Sequence, residues 1–462
     1  LVFFLMNIIY NVKNKRKFQA AEIIMLLRNS AFYFGFGLSL IDSYKEGLFN
    51  GLFIALVAVF NFVFAITLYK RKNIDKNLLY LLIGLVLTFV SLIAPIQLEG
   101  NYITLFWATE SVLLLYLAKM SGIKLMKLAS LLVSVCMLLS LGIDWQQNYY
   151  LNGDYIVLAV LLNKAFITSL VVLASLLGTA YFVRTDELLE YKGISIVWKS
   201  NYAKIIFAIV LYVALFLELN YQFVRAEYTD SLRFILLGIY NYVFVLALII
   251  LNRFRSNGLI KQVVFPLSGL MVIAYVTFFL WQITQARNLV YADQEVGATG
   301  FYWHYVLLVL FVGILNEFFS TTYKKYTFKS DYGTAALWVL SFIGVFVCST
   351  EVGHLSVLYQ SGNGISSVQA YSIALKSVYP VVWAVSALIL MILGMKFRIK
   401  TLRIASLVVF LVTIIKLFVY DLAGNSTGKI ISFILLGVIL LVISFLYQKL
   451  KFIIQNDDEK LD

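Results

Sequence analysis

Residues 78–96 have the sequence LLYLLIGLVLTFVSLIAPI, nineteen residues without a charge. They follow a short basic segment, residues 70–76, with the sequence KRKNIDK. A transmembrane helix needs about 20 mostly apolar residues, so the apolar stretch predicts a helix that crosses a membrane. The basic segment predicts a cytoplasmic loop, because cytoplasmic loops carry an excess of lysine and arginine.

The composition of the whole chain agrees with this interpretation. Of the 462 residues, 62% are hydrophobic and 13% are charged, and the mean hydropathy is +0.89. Soluble domains are nearer ~45–50% apolar and ~25% charged. The composition therefore excludes a soluble globular protein, a nucleic-acid-binding protein and a disordered chain. An outer-membrane barrel is also excluded, because the apolar runs last about 20 residues and do not alternate.

Apolar runs predict about fifteen membrane crossings, the first of them partial. The predicted spans are residues 1–11, 20–41, 47–69, 78–96, 102–118, 125–143, 154–182, 203–223, 232–252, 259–284, 302–322, 333–350, 370–395, 402–420 and 429–449. The loops between them are short and leave no room for a soluble domain. The predicted fold is an all-α polytopic transmembrane helical bundle, built from repeated helical hairpins, that forms one domain over residues 1–462.

Basic residues lie mainly in alternate loops, which orients the predicted spans. Loops after the odd-numbered spans, with the C-terminal tail, hold 28 of the 37 lysines and arginines. This bias predicts that these loops and the C-terminus are cytoplasmic. Residues 185–200 are predicted to form a cytoplasmic interfacial helix.

The first residues predict a start within a longer protein. The chain opens with Leu1, and a short apolar stretch precedes the basic segment of residues 13–17. A signal peptide has its positive charge before the apolar stretch, not after it. Residues 1–11 are therefore interpreted as the second half of a helix, and the chain as the C-terminal part of a longer one.

Two predicted hairpins, at about residues 103–145 and 379–421, match without a gap at an offset of 276 residues. From 107 to 145, 11 of 39 aligned positions are identical. The matches include Trp107-Ala108 with Trp383-Ala384, and Ile123-Lys124 with Ile399-Lys400. Both copies run from the outside to the inside and back, which predicts a parallel repeat derived from a duplicated two-helix unit.

Ionisable residues inside predicted spans are the candidates for a functional site. A charge near the bilayer centre costs roughly 2.5–3.5 kcal/mol, so such residues normally face a protein interior or a wet cavity. Arg28 and Lys164 are predicted near the middle of the membrane, and Glu317 towards the inside. The candidate substrate-binding residues, mostly in the predicted outer half, are Glu110, Glu218, His304, Lys376, Lys416, Asp421, Trp107 and Trp383.

Two interpretations of these residues stay open. The functional one is an outward-facing polar cavity around Glu110, Lys416 and Asp421 that accepts a charged or hydroxylated group. The structural alternative is a set of interhelical pairs, together with side chains that snorkel to the outer headgroups.

Motifs for catalysis, metals or cofactors are not found. The chain has two cysteines, Cys136 and Cys348, without metal or redox spacing, and two histidines. It has no phosphate loop, no dinucleotide fingerprint, no zinc-protease motif and no nucleophile elbow. We expect no metal and no cofactor, and the catalytic residues, if the protein is an enzyme, stay unknown.

The last quarter of the chain resembles a bacterial family. The resemblance rests on residues 416–422 (KLFVYDL), 432–437 (SFILLG) and 446–449 (LYQK), and on residues 106–110 (FWATE). These segments are similar to motifs of the predicted membrane proteins catalogued as domain of unknown function 2339, whose recurrent element is Phe-Trp-Ala-x-Glu. Lys429 stands where the family has arginine, which keeps the charge.

The resemblance implies a bacterial inner-membrane protein whose relatives are longer, often with a coiled-coil or polar N-terminal part. It implies no established activity, cofactor or catalytic residue. Three hypotheses therefore stay open: transport or translocation of a polar or lipid-linked molecule, enzymatic modification of a glycan or lipid at the outer leaflet, and a structural role in an envelope complex. The expected partners are membrane lipids, such a substrate or envelope proteins, and no nucleic acid.

Overall fold

The computed structural model describes most of the chain. The described residues are 20–43, 47–69, 76–150, 157–183, 187–191, 194–198, 200–254, 258–292, 298–325 and 330–417, with isolated positions at Met6, Ile434, Gly437, Val438, Leu441 and Ser444. These residues are almost all helical. The predicted all-α polytopic class is confirmed.

The chain divides into two compact units, residues 1–222 and 223–462. The first unit contains helices α1 (Ala20–Asp42), α2 (Asn50–Tyr69), α3 (Lys76–Gln97), α4 (Asn101–Ser121), α5 (Lys124–Tyr149) and α6 (Lys164–Phe182), strands β1 (Glu187–Tyr191) and β2 (Ile194–Trp198), and most of α7 (Ser200–Arg225). The second unit contains α8 (Asp230–Phe254), α9 (Gly258–Ala274), a π-helical turn (Tyr275–Phe279), α10 (Leu280–Ala292), α11 (Ala298–Lys325), α12 (Asp331–Tyr359), a 3₁₀ turn (Ser361–Asn363), α13 (Ser367–Lys396) and α14 (Lys400–Lys416).

Twelve helical segments of the described residues are long and apolar enough to cross a membrane. They run from α1 to α13, with α9, the π-helical turn and α10 forming one continuous segment. Helix α14 has 17 residues, Lys400–Lys416, and overlaps the predicted span 402–420. The predicted spans 1–11 and 429–449 lie outside the described residues, apart from the isolated positions.

Each unit has its own apolar core. In the first, Ile54 and Phe89 are buried between α2 and α3, and Met137 and Val172 are buried where α4, α5 and α6 pack. In the second, the largest core joins α8 to α12 and is centred on aromatic side chains such as Tyr275. Many large apolar side chains are also exposed on the helix surfaces. Exposed apolar helix faces are what a protein in contact with lipid requires.

The predicted span 154–182 is wrong in its first part. Residues 157–162 are apolar but not helical, and α6 begins only at Lys164. Asn163 caps the helix, since its side chain accepts a hydrogen bond from the backbone N–H of Phe166 at 2.8 Å. Lys164 therefore lies at the beginning of a helix, whereas the sequence predicts it in the middle of a span.

The predicted interfacial helix at residues 185–200 is also wrong. The chain instead forms an antiparallel hairpin in which β1 pairs with β2, from Glu187 opposite Trp198 to Tyr191 opposite Ile194. β-Branched and aromatic residues, such as Ile194, Ile196 and Trp198, favour strands.

Candidate functional site

Trp107 and Glu110, two of the candidate residues, share one partner on the neighbouring helix. Glu110 Oε1 accepts a hydrogen bond from Ser91 Oγ at 2.7 Å, and Trp107 Nε1 donates to the backbone oxygen of Ser91 at 3.1 Å. Glu110 is buried, and its Oε2 has no hydrogen-bond partner among the described residues. This carboxylate is therefore only half satisfied inside the first unit.

Asp144 is a buried carboxylate. The predicted spans 125–143 and 154–182 would place it in the outer loop between them. Helix α5 continues to Tyr149, so Asp144 lies inside the helix with only 2% of its surface exposed. Its Oδ2 accepts a hydrogen bond from Thr104 Oγ1 at 2.5 Å. The same hydroxyl lies 2.6 Å from Ser140 Oγ, so three polar side chains of α4 and α5 form one chain of hydrogen bonds.

A groove opens beside this chain. Its volume is about 300 Å³. Polar groups line it at Ser140, Asp144 and Gln147, while Trp107 and Leu139 contribute apolar surface. The groove therefore combines a carboxylate and an amide with an apolar wall.

A second set of hydroxyl groups joins α4, α5 and α6 in the same unit. Ser111 Oγ lies 3.0 Å from Ser175 Oγ, which joins α4 to α6. Ser130 Oγ donates to the backbone oxygen of Ser111 at 2.7 Å, and Ser134 Oγ donates to the backbone oxygen of Ser130 at 2.8 Å. We call the following set the polar seam: Thr104, Ser111, Ser130, Ser134, Ser140, Asp144 and Ser175.

Glu218, another candidate, is fully satisfied by neutral donors. Its Oε1 accepts from the backbone N–H of Leu161 at 3.0 Å and from Gln222 at 2.9 Å. Its Oε2 accepts from the Tyr149 hydroxyl at 2.9 Å and from the Asn163 amide at 2.8 Å. This side chain fastens the non-helical segment 157–163 onto α7, which is a structural role.

In the second unit, His304 forms a pair with Glu351. His304 on α11 is 0% exposed, and its Nε2 lies 3.1 Å from Glu351 Oε2 on α12. The other ring nitrogen, Nδ1, lies 2.5 Å from the backbone oxygen of Phe301. Both ring nitrogens therefore face oxygen atoms.

A second histidine and an arginine lie beside this pair. Arg287 on α10 is only 3% exposed, and its Nη1 lies 3.3 Å from His354 Nδ1. Its Nη2 donates to Asn288 Oδ1 at 2.8 Å, and its guanidinium lies 5.4 Å from the centroid of the Tyr371 ring. This is a cation–π arrangement of a buried arginine. Arg287 is therefore a buried cation of the second unit, although the predicted spans 259–284 and 302–322 would place it in a loop.

Lys416 and Trp383 are brought together by a proline-containing helix. Lys416 Nζ donates to the backbone oxygen of Leu375 at 2.6 Å and lies 5.9 Å from the centroid of the Trp383 ring. Trp383 Nε1 donates to Ser349 Oγ at 2.9 Å. Pro380, inside α13, has no N–H, so the carbonyl of Lys376 loses its helical donor, and Lys416 bonds to the carbonyl one residue before it.

One known protein family matches nearly the whole chain. A family described as predicted membrane protein, domain of unknown function 2339, matches residues 9–450. The chain belongs to this family. The predicted resemblance is thereby confirmed, and the protein is a membrane protein. No curated protein and no solved structure matches the chain.

Residues 106–110, one of the segments on which the resemblance rests, form the contact between α3 and α4 described above. Trp107 and Glu110 of this segment both bond to Ser91. In this member of the family the segment therefore joins two helices and leaves one buried carboxylate oxygen without a partner.

The remaining candidates do not join either cluster. Lys376 is exposed on α13, and Asp421 lies outside the described residues. Glu110 belongs to the first unit and Lys416 to the second, so a common cavity around Glu110, Lys416 and Asp421 stays a prediction. Within the described ranges, no group of three or more His, Cys, Asp or Glu side chains is arranged to hold a metal ion.

Two residues of this member of the family were missed as site candidates, and each had a signal in the sequence. Arg287 falls on the same helix face as Leu280, Ile283 and Val290, because these positions recur at helical spacing. Asp144 lies four residues after Ser140, which places both on one face of α5. Both were assigned to loops because charged residues ended the predicted apolar runs too early.

Proposed function

We propose that this protein transports or translocates a polar or lipid-linked molecule across a bacterial inner membrane. One observation carries the proposal: Ser140 and Asp144, which line the groove, belong to the polar seam of α4, α5 and α6. An envelope scaffold needs neither feature, because paired charges are enough to fix helix packing. An enzyme at the outer leaflet needs the groove, but it does not need the hydroxyl groups of the seam that lie outside the groove.

The length of the polar seam favours movement of a molecule over binding alone. From Ser130 to Asp144 the seam follows α5 over about 21 Å at the rise of an α-helix. The hydrocarbon core of a bilayer is about 30 Å thick. Two pairs of hydroxyl groups in the seam bond to each other, Thr104 with Ser140 and Ser111 with Ser175. Hydroxyl groups are both donors and acceptors, so these pairs are able to exchange their bonds for bonds to a passing polar group.

The chemistry of the groove favours an amphiphilic substrate. The Asp144 carboxylate accepts hydrogen bonds from hydroxyl or amine groups, and the Gln147 amide both donates and accepts them. Leu139, which lines the same groove, is also exposed at the helix surface. A lipid-linked molecule would place its polar group near Asp144 and its chain along this apolar wall.

Two variants of α4 separate the polar seam from the rest of the helix. Thr104→Val removes the hydroxyl that bonds to Asp144 and Ser140. Thr109→Val makes the same change at an exposed position of the same helix, whose hydroxyl bonds only to its own helix at Leu105. The second variant is the matched control.

The test compares cells that carry wild type, either variant or a deletion, by mass spectrometry of polar metabolites and lipid-linked intermediates. A transporter predicts that the deletion and Thr104→Val accumulate an unaltered compound on one side of the membrane, and that Thr109→Val does not. Loss of a chemically modified product would instead support the enzyme. Unchanged compounds in the deletion, with loss of an envelope complex, would support the scaffold.

A further inference from the structure

We propose that His304 and Glu351 form a buried proton-binding site that exchanges its proton with the predicted outer side. The geometry of the two imidazole nitrogens carries this inference. Phe301 presents a carbonyl oxygen to Nδ1 at 2.5 Å, and a carbonyl only accepts hydrogen bonds. Nδ1 therefore carries a hydrogen in every state of this arrangement.

The position of Nε2 then requires a second proton. Nε2 lies 3.1 Å from Glu351 Oε2, and without a proton between them two acceptors would face each other. The pair therefore holds one proton, written either as imidazolium with carboxylate or as imidazole with carboxylic acid. When that proton leaves, a neutral imidazole faces a carboxylate, and the two side chains lose the bond that joins α11 to α12.

His354 provides a contrast within the same unit. Arg287 has only donors, so His354 Nδ1, which lies 3.3 Å from its Nη1, is the acceptor and the ring hydrogen is on Nε2. A second proton on Nδ1 would face a guanidinium cation. His354 is therefore held neutral, although its ring centroid lies only 6.4 Å from that of His304.

Tyrosines and few charges surround the His304–Glu351 pair in the described part of the second unit. The ring centroids of Tyr305 of α11 and His354 of α12 lie 4.0 Å and 6.4 Å from that of His304. Tyr275 of the π-helical turn and Cys348 of α12 lie within electrostatic range of Glu351. Arg287 is occupied by Asn288 and His354, and Lys416 by Leu375. The carboxylate therefore has His304 as its closest basic partner.

Glu351 supplies the route to the surface. Its side chain is 14% exposed, whereas that of His304 is 0% exposed. Glu351 lies eight residues before the end of α12 at Tyr359, which is about 12 Å at the rise of a helix. His304 lies about 9 Å from the beginning of α11 at Ala298 by the same measure. Both ends are predicted to be on the outer side.

Several buried polar atoms near this site have no hydrogen-bond partner among the described residues, which argues against a purely structural pair. Glu351 Oε1, His354 Nε2 and the Tyr275 hydroxyl are buried without a hydrogen-bond partner among the described residues. A buried polar group without a partner costs about 1–3 kcal/mol, which a purely structural pair would avoid. Such atoms provide alternative acceptors and donors when the proton moves.

The proton-binding site does not depend on the proposed transport, and only its use as an energy-coupling site rests on that function. The experiment therefore measures proton binding directly and does not depend on transport. The purified chain, labelled with ¹⁵N-histidine in lipid nanodiscs, contains only two histidines, so its ring nitrogens are resolved by NMR without further labelling. His354→Asn leaves His304 as the single histidine and assigns the spectrum.

The spectra are recorded as a function of pH for wild type, Glu351→Gln and Glu317→Gln. We expect the wild-type His304 Nε2 signal to change from protonated to unprotonated as the pH rises, while Nδ1 stays protonated. Glu351→Gln is expected to abolish the Nε2 proton at the pH where wild type holds it. Glu317→Gln, a matched change at a carboxylate that pairs with Arg253 instead, should leave both histidines as in wild type.

The His354 signal reports whether each variant is folded, since contact with Arg287 keeps its Nδ1 unprotonated at acidic pH, where an unfolded histidine is protonated on both nitrogens. If Glu351→Gln does not fold, the wild-type titration alone decides. A wild-type His304 spectrum that does not move with pH overturns the proposal. A spectrum that moves equally in folded Glu351→Gln also overturns it, because the carboxylate then has no part in the site. Neither result concerns the metabolite test of transport.

Discussion

Gly122 and Arg398, which lie 276 residues apart, adopt the same left-handed backbone conformation, with φ of 71° and 55°. Each lies in the turn of a hairpin: Gly122 directly follows α4, and Arg398 lies two residues after the end of α13. The residue after each is an extended isoleucine, Ile123 or Ile399, from which the second helix starts. The offset equals that of the sequence match, so the two turns share a backbone geometry although one residue is glycine and the other arginine.

This difference predicts opposite effects of substitution at the two turns. A left-handed conformation costs a residue with a Cβ roughly 1–2 kcal/mol, and glycine avoids that cost. Arg398→Gly is therefore expected to stabilise the protein by about 0.5–1 kcal/mol. Gly122→Ala should destabilise it by about 1 kcal/mol. Thermal unfolding of the purified variants in one detergent measures both.

Gly142→Ala is the control for the glycine substitution. Gly142 lies inside α5 with open space around the position of a Cβ and without a positive φ. Alanine there should be neutral or stabilising, because it lowers the entropy of the unfolded chain. Equal losses of stability at Gly122 and Gly142 would contradict the assignment of the effect to the left-handed turn.

Glu218 is predicted to hold the segment 157–163 in place. In Glu218→Gln one carboxylate oxygen becomes an amide donor, so two of the four hydrogen bonds are lost in either orientation of the amide. We expect a loss of about 1–3 kcal/mol. Chymotrypsin should cleave near Leu161 and Leu162 faster than in wild type. Glu99→Gln, at an exposed loop position, should leave the cleavage rate unchanged.

The same interaction explains what the sequence predicted well and what it did not. The span predicted at residues 78–96 agrees with α3, Lys76–Gln97, because a lipid-exposed helix must be apolar over its whole length. Residues 157–162 are equally apolar but are held as a non-helical segment by Glu218. That partner lies 57 residues from Leu161, and such a long-range contact has no signature in a local pattern.

The sequence identified which residues are buried charges, but it did not identify which of them contact one another. Buried charges such as Glu110 and His304 are identified by their positions inside apolar runs. Their partners are not, since Glu351 is 47 residues from His304 and belongs to another helix. The candidate substrate-binding residues therefore lie in different places: Trp107 and Glu110 contact Ser91, Lys416 contacts Trp383, and His304 pairs with Glu351.

Lys416 and Lys376 test the difference between a partnered and an exposed lysine. Lys416→Met removes the bond to the Leu375 carbonyl near Pro380 and the contact with the Trp383 ring. We expect it to destabilise the protein by about 1–2 kcal/mol. Lys376→Met, at an exposed position of α13, should change the stability by less than about 0.5 kcal/mol. Denaturant titration of both variants in the same lipid decides, and a larger effect at Lys376 would argue against the assigned partners.

The orientation in the membrane stays a prediction on which the groove and the proton-binding site both depend. In a background of Cys136→Ser and Cys348→Ser, single cysteines replace Glu227, in the exposed turn between α7 and α8, or Lys396, exposed at the end of α13. Positive-inside bias predicts that a membrane-impermeant maleimide labels position 227 in intact cells and position 396 only after permeabilisation. The reverse pattern would place the groove beside Asp144 and the exposed edge of Glu351 in the cytoplasm. The proton would then enter from the cytoplasm, because the geometry of the His304–Glu351 pair fixes which end of α12 it opens towards but not which compartment that end faces.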